Sequence, residues 1–237
     1  MTALVLVELD DCEPADASLR SLSLARSLGD VTAVLFADAV PQDTLARYGV
    51  TDAYMIETSA LDGYAPQAWA RVLAGLATET SATAVLAAGT DRGNEVLAHL
   101  GAITGLPMAA NCTLVTPDEG RTHRLVRHRW AGLLLEDAVM EAPVALFTVA
   151  TDSVANVSAE TPAGIRVHVH KPNWPRPTWW SGRPSRRLRW RQAHHRDQHR
   201  PGRPHPRPRR LRRRRRPAPG HPRPIEPSAR GAEYAGS

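Results

Sequence analysis

Residues 84–101 read Ala-Val-Leu-Ala-Ala-Gly-Thr-Asp-Arg-Gly-Asn-Glu-Val-Leu-Ala-His-Leu-Gly, which is a short apolar run followed by a polar loop and a helical pattern. The run Ala84–Ala88 has no polar face, as expected for a parallel strand that is covered on both sides. Residues 95–103 are predicted to form a helix that ends before Gly105. A strand that leads through a short loop into a helix is the repeating unit of an α/β fold.

The same alternation of strand and helix fills the chain before residue 84. Apolar runs predict strands at residues 3–7, 31–36 and 53–56. Helical spacing predicts helices at residues 19–28, 41–48 and 65–77, the first of them capped by Asp16 or Ser18. This alternation implies right-handed crossovers, and hence a doubly wound, mostly parallel, Rossmann-like sheet with helices on both faces.

After Pro107 the pattern changes to strands alone. Strand-like segments follow each other too closely for helices to separate them, at residues 112–115, 123–130, 133–140 and 144–149, and a last one lies at residues 165–170. The stretch Thr122–Arg129 alternates in part, so one of its faces is expected to be solvated. These segments should extend the sheet or pair as hairpins.

The charge of the chain changes sign near residue 170. Residues 1–170 contain ten basic and 21 acidic residues, whereas residues 171–237 contain 20 basic and three acidic ones, with 13 of the 20 prolines. We therefore expect one α/β domain at 1–170 and a disordered Arg/Pro/His-rich tail at 171–237, because the tail has too little apolar surface to offset its chain entropy. An acidic domain is a poor partner for nucleic acid, which only the tail could bind.

The loop between residues 88 and 95 has two readings. Its position, after a parallel strand and before a helix, suits a phosphate. It has neither a Gly-x-Gly-x-x-Gly nor a Gly-Lys-Ser/Thr motif, and Asp91 would oppose an anion. The favoured interpretation is that Thr90 or Asp91 caps the helix and the glycines permit the turn.

The other polar groups give no catalytic set. The stretch Asp10-Asp11-Cys12-Glu13 suggests a metal or a redox thiol, but a solvated strand end is the favoured reading. Two cysteines are too few for a disulfide framework, and no Cys/His cluster has metal-ligand spacing. The chain lacks a signal-peptide pattern and an apolar run long enough for a membrane span, so a cytoplasmic location is expected.

One basic stretch lies within the acidic domain. Arg121, Arg124, Arg127, Arg129 and Trp130 fall within ten residues, with His123 and His128 between them. The stretch is either a docking surface for a partner or the exposed face of a hairpin, and the residues alone leave both open. Arg and Trp are favoured interface anchors, so these five are the candidate partner surface.

Residues 1–170 resemble the N-terminal domain of the electron-transfer flavoprotein alpha subunit. The resemblance rests on the order and spacing of Ala3-Leu-Val-Leu-Val-Glu, Leu86-Ala-Ala-Gly-Thr-Asp-Arg-Gly-Asn-Glu-Val-Leu-Ala-His-Leu-Gly, Leu106-Pro-Met-Ala-Ala-Asn-Cys-Thr, Arg129-Trp-Ala-Gly-Leu-Leu-Leu-Glu and Val144-Ala-Leu-Phe-Thr-Val-Ala. It implies a heterodimer with a beta subunit, and FAD-based electron transfer from dehydrogenases rather than substrate turnover by side chains. In that family this domain serves mainly for structure and subunit contact.

The resemblance also implies where FAD would lie. In the family the flavin lies chiefly on a following domain with motifs such as Ser-Gly-Gly-Arg-Gly and Gly-x-Ser-Gly-Ala-x-Gln-His. This chain has neither motif. No FAD-binding residue is therefore assigned, and we expect the chain to be truncated and not to retain flavin.

A frameshift is our hypothesis for the tail. Tryptophan has one codon, so Thr178-Trp179-Trp180-Ser181, read one base earlier, gives a polar or tyrosine residue followed by Val, Leu or Met and then by two valines if Ser181 uses a TCN codon. That is the pattern of a buried strand. Two alternatives for function remain: an acidic α/β domain with a basic tail that binds nucleic acid, and a small-nucleotide-binding enzyme that uses the loop at residues 90–94.

Overall fold

The computed structural model describes residues 1–59, 61 and 63–172. The expected disorder of the tail and the suspected frameshift at residues 178–181 lie outside the described residues. Among the helices of the described part, none is both long and apolar enough to cross a bilayer.

The described chain is organised around one large sheet. The strands of the described residues are β1 (Thr2–Leu6), β2 (Leu9–Asp10), β3 (Glu13–Pro14), β4 (Asp30–Leu35), β5 (Val50–Ile56), β6 (Ala84–Ala88), β7 (Met108–Pro117), β8 (Thr122–Arg129), β9 (Leu134–Glu141), β10 (Ala145–Val149) and β11 (Arg166–His170). Its α-helices are α1 (Asp16–Ala25), α2 (Gln42–Arg47), α3 (Pro66–Glu79) and α4 (Asp91–Thr104), and a 3-10 turn at Arg26–Leu28 follows α1.

The large sheet is mostly parallel. Its strand order is β11-β5-β4-β1-β6-β10-β7-β8-β9, while β2 and β3 form a separate small hairpin. The neighbours from β11 to β7 all pair in parallel, and β8 and β9 continue the sheet as an antiparallel hairpin. The predicted α/β class with a mostly parallel sheet and added strands is confirmed.

Helices cover both faces of the parallel part. Val5 of β1 packs in one apolar cluster with Leu22 of α1. Leu4 packs in the opposite cluster with Leu73 of α3 and Leu97 of α4. Successive residues of a strand point to opposite faces, so the apolar run of β1 is buried by α1 on one side and by α3 and α4 on the other.

One predicted cap is wrong. Helix α1 has Ala15 at its N-cap, and no side chain bonds to its first turn there. Asp16 pairs instead with Arg20 one turn later. The Ser18 hydroxyl accepts the Glu8 backbone N–H at 2.8 Å, so a tertiary bond to the loop after β1 has taken the side chain that could have capped the helix.

The positions of two strands within the sheet were not predicted from the sequence. The fully buried β10 is inserted in parallel between β6 and β7. β11 pairs in parallel with β5 at the opposite edge of the sheet. The connection from β10 to β11 forms hydrogen bonds with two helices. Asn156 donates to Asp16 of α1, and the Ala159 N–H donates to the Arg47 carbonyl of α2.

Candidate functional site

The strand order of the sheet reverses between β1 and β6. From β1 the chain adds β4 and β5 on one side, and α3 then returns it to β6 on the other side of β1. In open α/β sheets, ligands bind at such a reversal, just beyond the carboxyl ends of the strands. The two loops that could form a site here begin at Val7 and at Gly89.

Side chains bridge these two loops directly. The Thr90 hydroxyl donates to a Glu8 carboxylate oxygen at 2.5 Å, and it accepts the Gly93 backbone N–H at 2.9 Å. Thr90 is thus the N-cap of α4, which confirms its predicted capping role and explains why the helix begins at Asp91 rather than at residue 95. The hydroxyl and one N–H of the helix end are used within the protein.

The glycines of the loop allow tight packing against backbone. A Cβ added at Gly93 would overlap the Ala88 carbonyl oxygen, and one added at Gly89 would lie 2.7 Å from the Val149 carbonyl oxygen. The Gly89 N–H also donates to that Val149 oxygen at 2.8 Å. These glycines therefore let α4 and β10 approach the end of β6.

The charges around the loop are unfavourable for a phosphate. Carboxylates of Glu8, Asp91 and Glu95 belong to the two loops and the first turns of α4. The Tyr64 hydroxyl donates to Glu95 at 3.0 Å, and burial together with this carboxylate raises the pKa of Tyr64. The Arg92 guanidinium lies 5.0 Å from the centroid of the Tyr64 ring. The carboxylates at this reversal point therefore oppose an anionic group such as a pyrophosphate.

A second polar network, which the sequence did not reveal, stabilises the same region. The buried Thr148 of β10 donates to Asn94 of α4 at 2.8 Å and accepts the Asn111 N–H at 3.0 Å. Thr148 is the polar residue of an otherwise apolar strand, and this exception is the signal that could have identified it. The network fixes α4 to β10 and β7, so it has a structural role.

The acidic stretch after β1 forms a turn. Asp11 and Cys12 adopt positive φ values of 45° and 69° between β2 and β3. Glu13 accepts a hydrogen bond from Thr44 at 2.8 Å, while Cys12 is exposed. The other cysteine, Cys112, is buried, and burial raises its pKa to about 12, which keeps the thiol protonated.

The candidate partner residues lie on and beside the β8–β9 hairpin, but on different faces. Arg124 is on the face that carries Val139, its direct cross-strand neighbour. Arg127 and Arg129 are on the opposite face and contact Glu136 of β9, the former at 2.5 Å and the latter at 3.7 Å. The basic stretch therefore does not form one continuous cationic surface.

The remaining candidates lie at the ends of β8. Trp130 is in the turn that joins β8 to β9 and is 76% exposed. Arg121 precedes β8 and lines a small cleft together with His123 and Ala142. His123 is itself buried against Phe147, and burial lowers its pKa, so it does not add to the basic surface as its sequence neighbours suggested.

Arg124 and Arg127 both have acidic partners within the domain. Arg124 contacts Asp118 at 2.7 Å. The pKa of Asp118 is held low by the Glu119 N–H and by Arg124, and that of Glu136 by Arg127. Both arginines are therefore paired within the domain, but the Arg124 side chain remains 70% exposed, whereas that of Arg127 is 20% exposed.

Within the described residues, the outer face of the antiparallel strands exposes aliphatic side chains among polar ones. We define the outer face by the residues that share one side of β7, β8 and β9 through direct pairing: Leu114, Thr116, Thr122, Arg124, Val126, His128, Leu135, Asp137, Val139 and Glu141. Leu114, Leu135 and Val139 are 51%, 67% and 63% exposed. The opposite side of the same strands carries Leu125, which is buried against the core. Sequence reasoning selected the arginines and missed these aliphatic side chains.

Comparison with known families gives a match that covers almost all of the described domain. The family model described as electron transfer flavoprotein domain matches residues 3–171. A search of curated proteins gave no match.

Proposed function

Because the chain belongs to the electron transfer flavoprotein domain family, we propose that its described part is the scaffold and subunit-contact domain of an alpha subunit. In this proposal the domain pairs with a beta subunit and takes part in electron transfer from dehydrogenases without itself transforming a substrate. Its two cysteines, one exposed and one buried, suit the reducing cytoplasm in which we place it.

The exposed aliphatic side chains of the outer face are the main support for a subunit contact. Leu114, Leu135 and Val139 are each more than half exposed, although they lie within strands of the large sheet. Fully burying one such side chain is worth roughly 1.5–3 kcal/mol. Leu135 and Val139 flank Asp137 on β9, and Leu114 pairs with Val126 of the central strand. Exposed apolar groups that are surrounded by polar residues often mark a contact site for another protein.

Polar residues lie among these aliphatic side chains, and protein interfaces usually combine both kinds. Arg124 lies beside Val139 on the outer face, and Trp130 lies at the end of the hairpin. Arg and Trp are favoured interface anchors, whereas exposed charges act mainly on the association rate. We therefore assign affinity to the aliphatic side chains and salt sensitivity to Arg124.

We place the flavin of the family outside the described domain. The reversal point of the sheet is bridged by Glu8 and Thr90, and its glycines are packed against backbone. When bound, FAD supplies the electron-carrying chemistry of the family. For residues 171–237 we retain the frameshift as a proposal, which translation of the DNA around codons 165–185 in all frames would decide.

The experiment is reconstitution of the purified chain with its cognate beta subunit, with and without FAD. Size-exclusion chromatography should show a complex of the two chains that weakens as salt rises. After desalting, the chain alone should keep no stoichiometric flavin absorbance. Absence of any complex would refute the contact role, and stoichiometric flavin on the chain alone would refute the placement of the cofactor.

A further inference from the structure

The last described strand adds nothing to the buried core. All five side chains of β11 are exposed or half-buried, whereas all five of β10 are buried. Val167 and Val169, its two aliphatic residues, are 38% and 58% exposed. These two side chains therefore bury only part of their apolar surface, in contrast to the fully buried side chains of β10.

Backbone pairing along its five residues joins β11 to β5, and at its end the Glu57 N–H donates to the His170 carbonyl at 3.0 Å and Lys171 pairs with Glu57 at 3.2 Å. The side chains of β11 itself bond mainly to one carboxylate of β5. Arg166 binds Asp52 through two hydrogen bonds, from Nε at 2.9 Å and from Nη2 at 2.7 Å. His168 Nε2 lies 2.9 Å from the same carboxylate. The Asp52 carboxylate thus bonds two side chains of a strand that has only five residues.

Weaker contacts surround this carboxylate. The His168 ring stacks on Tyr54 of β5 with a centroid distance of 4.7 Å. On the other side of β5, the residue paired with Asp52 is the uncharged Thr32 of β4. Glu79, at the end of α3, acts electrostatically on Tyr54. Within the described residues, Arg166 and His168 are thus the groups of opposite charge that face Asp52.

Backbone hydrogen bonds anchor the chain before β11 as far as Ala163. The Ala163 N–H donates to the Ala46 carbonyl at 3.0 Å, and the Ala159 N–H donates to the Arg47 carbonyl at 2.8 Å. Gly164 has no heavy atom within 4 Å of the position that a Cβ would take, and Ile165 packs on the core. A movement of β11 could therefore begin after Ile165 without disturbing the anchored connection.

We propose that β11 is a releasable edge strand that docks through Asp52 and detaches after Ile165. Detachment opens the edge of β5. An opened edge presents unpaired backbone N–H and C=O groups to solvent, so their amide hydrogens exchange. β11 is the last strand of the described residues. Its release does not depend on the contact role proposed for the outer face.

Hydrogen–deuterium exchange of the full chain tests this inference. The variant is Asp52→Asn, which keeps the shape of the side chain and removes its charge. The matched control is Asp137→Asn, on the exposed strand β9 at the other edge. Amides of Arg166–His170 should exchange about tenfold faster in Asp52→Asn, while amides of β1 and β6 keep their rates.

Salt dependence gives a second readout of the same inference. In the unsubstituted chain, added NaCl should accelerate exchange in β11, and this salt effect should be lost in Asp52→Asn. The inference is overturned if β11 exchanges as slowly as β1 in the unsubstituted chain, or if Asp52→Asn leaves β11 unchanged. It is also overturned if Asp52→Asn accelerates all strands equally, or if Asp137→Asn has the same effect on β11.

Discussion

The Thr90 hydroxyl donates a hydrogen bond to the Glu8 carboxylate at 2.5 Å, and this bond joins the loops that follow β1 and β6. The same hydroxyl caps α4 by accepting the Gly93 N–H. One side chain therefore fixes a helix end and bridges the two loops at the place where a doubly wound sheet usually binds its ligand.

Replacing Thr90 by alanine should destabilise the domain. Thr90→Ala removes the cap and the bond to Glu8, so we expect the free energy of unfolding to fall by about 1–2 kcal/mol in urea titrations. Thr78→Ala is the matched control, because the Thr78 side chain is exposed on α3 and bonds to the Ala74 carbonyl within its own helix. Its effect should stay within about 0.5 kcal/mol. Equal losses in the two variants would contradict the bridging role of Thr90.

Two glycine-to-alanine substitutions should have opposite signs. The added methyl group of Gly93→Ala would overlap the Ala88 carbonyl oxygen, so we expect a loss of about 1–3 kcal/mol. Gly75 lies in α3 with open space around the added position, so Gly75→Ala should stabilise by about 0.5–1 kcal/mol. Thermal unfolding of both variants checks the prediction. A neutral Gly93→Ala would show that the loop can move away from β6.

Acid should weaken the docking of β11. Hydrogen bonds from Arg166, and less strongly from His168, lower the pKa of Asp52 from 3.8 to about 2. Because the folded-state pKa is below the unfolded value, ionised Asp52 stabilises the fold above about pH 4, and this contribution is lost as the pH falls towards 2. The full shift corresponds to at most about 2 kcal/mol, and solvent screening of the exposed Arg166 reduces it to about 1 kcal/mol.

The measurement for this effect is the unfolding free energy between pH 5 and pH 2 for the unsubstituted chain and Asp52→Asn. The difference between the two proteins should shrink as the pH falls, since the protonated Asp52 side chain and the asparagine that replaces it are both uncharged. A difference that stays constant over this range would show that Asp52 stabilises the fold by something other than its charge.

Charge reversal on the outer face should weaken binding of the beta subunit. Arg124 is exposed beside Val139, so Arg124→Glu should raise the dissociation constant several-fold and reduce its salt dependence. Arg71→Glu, on the exposed side of α3, changes the net charge equally and serves as the control. Arg127 lies on the opposite face, so Arg127→Glu should mainly cost stability within the hairpin, because it places a second carboxylate beside Glu136. If Arg71→Glu weakens binding as much as Arg124→Glu, net charge rather than this surface is responsible.

The parallel core was predictable because its residues carry strong local signals. β6 was predicted to the residue, since Ala84–Ala88 is an apolar run bounded by a polar loop. The position of β10 was not predictable, because an apolar run indicates burial on both faces without naming the neighbouring strands. The pairing of β11 with β5 joins residues more than 100 positions apart, and no local pattern encodes it.

The candidate site was predictable only in part. Thr90 as a cap follows from its place before a helix, and the structure confirms it. The division of the arginines between two faces depends on the register of β8 against β9. Leu134 and Leu135 look alike in the sequence, and only the fold shows that Leu135 shares its face with Val139.

The most direct test of the contact role compares exposed aliphatic residues on the two faces of β9. The double variant Leu135→Ser with Val139→Ser removes aliphatic surface from the outer face, while Leu134→Ser removes a similarly exposed leucine from the opposite face of the same strand. The measurement is the dissociation constant for the cognate beta subunit by titration calorimetry, with circular dichroism to confirm folding. The double variant should bind at least tenfold more weakly, which corresponds to about 1.4 kcal/mol, and Leu134→Ser should change affinity less than about threefold. Unchanged affinity in the folded double variant, or equal losses in both proteins, would contradict the assignment of the outer face as the subunit contact.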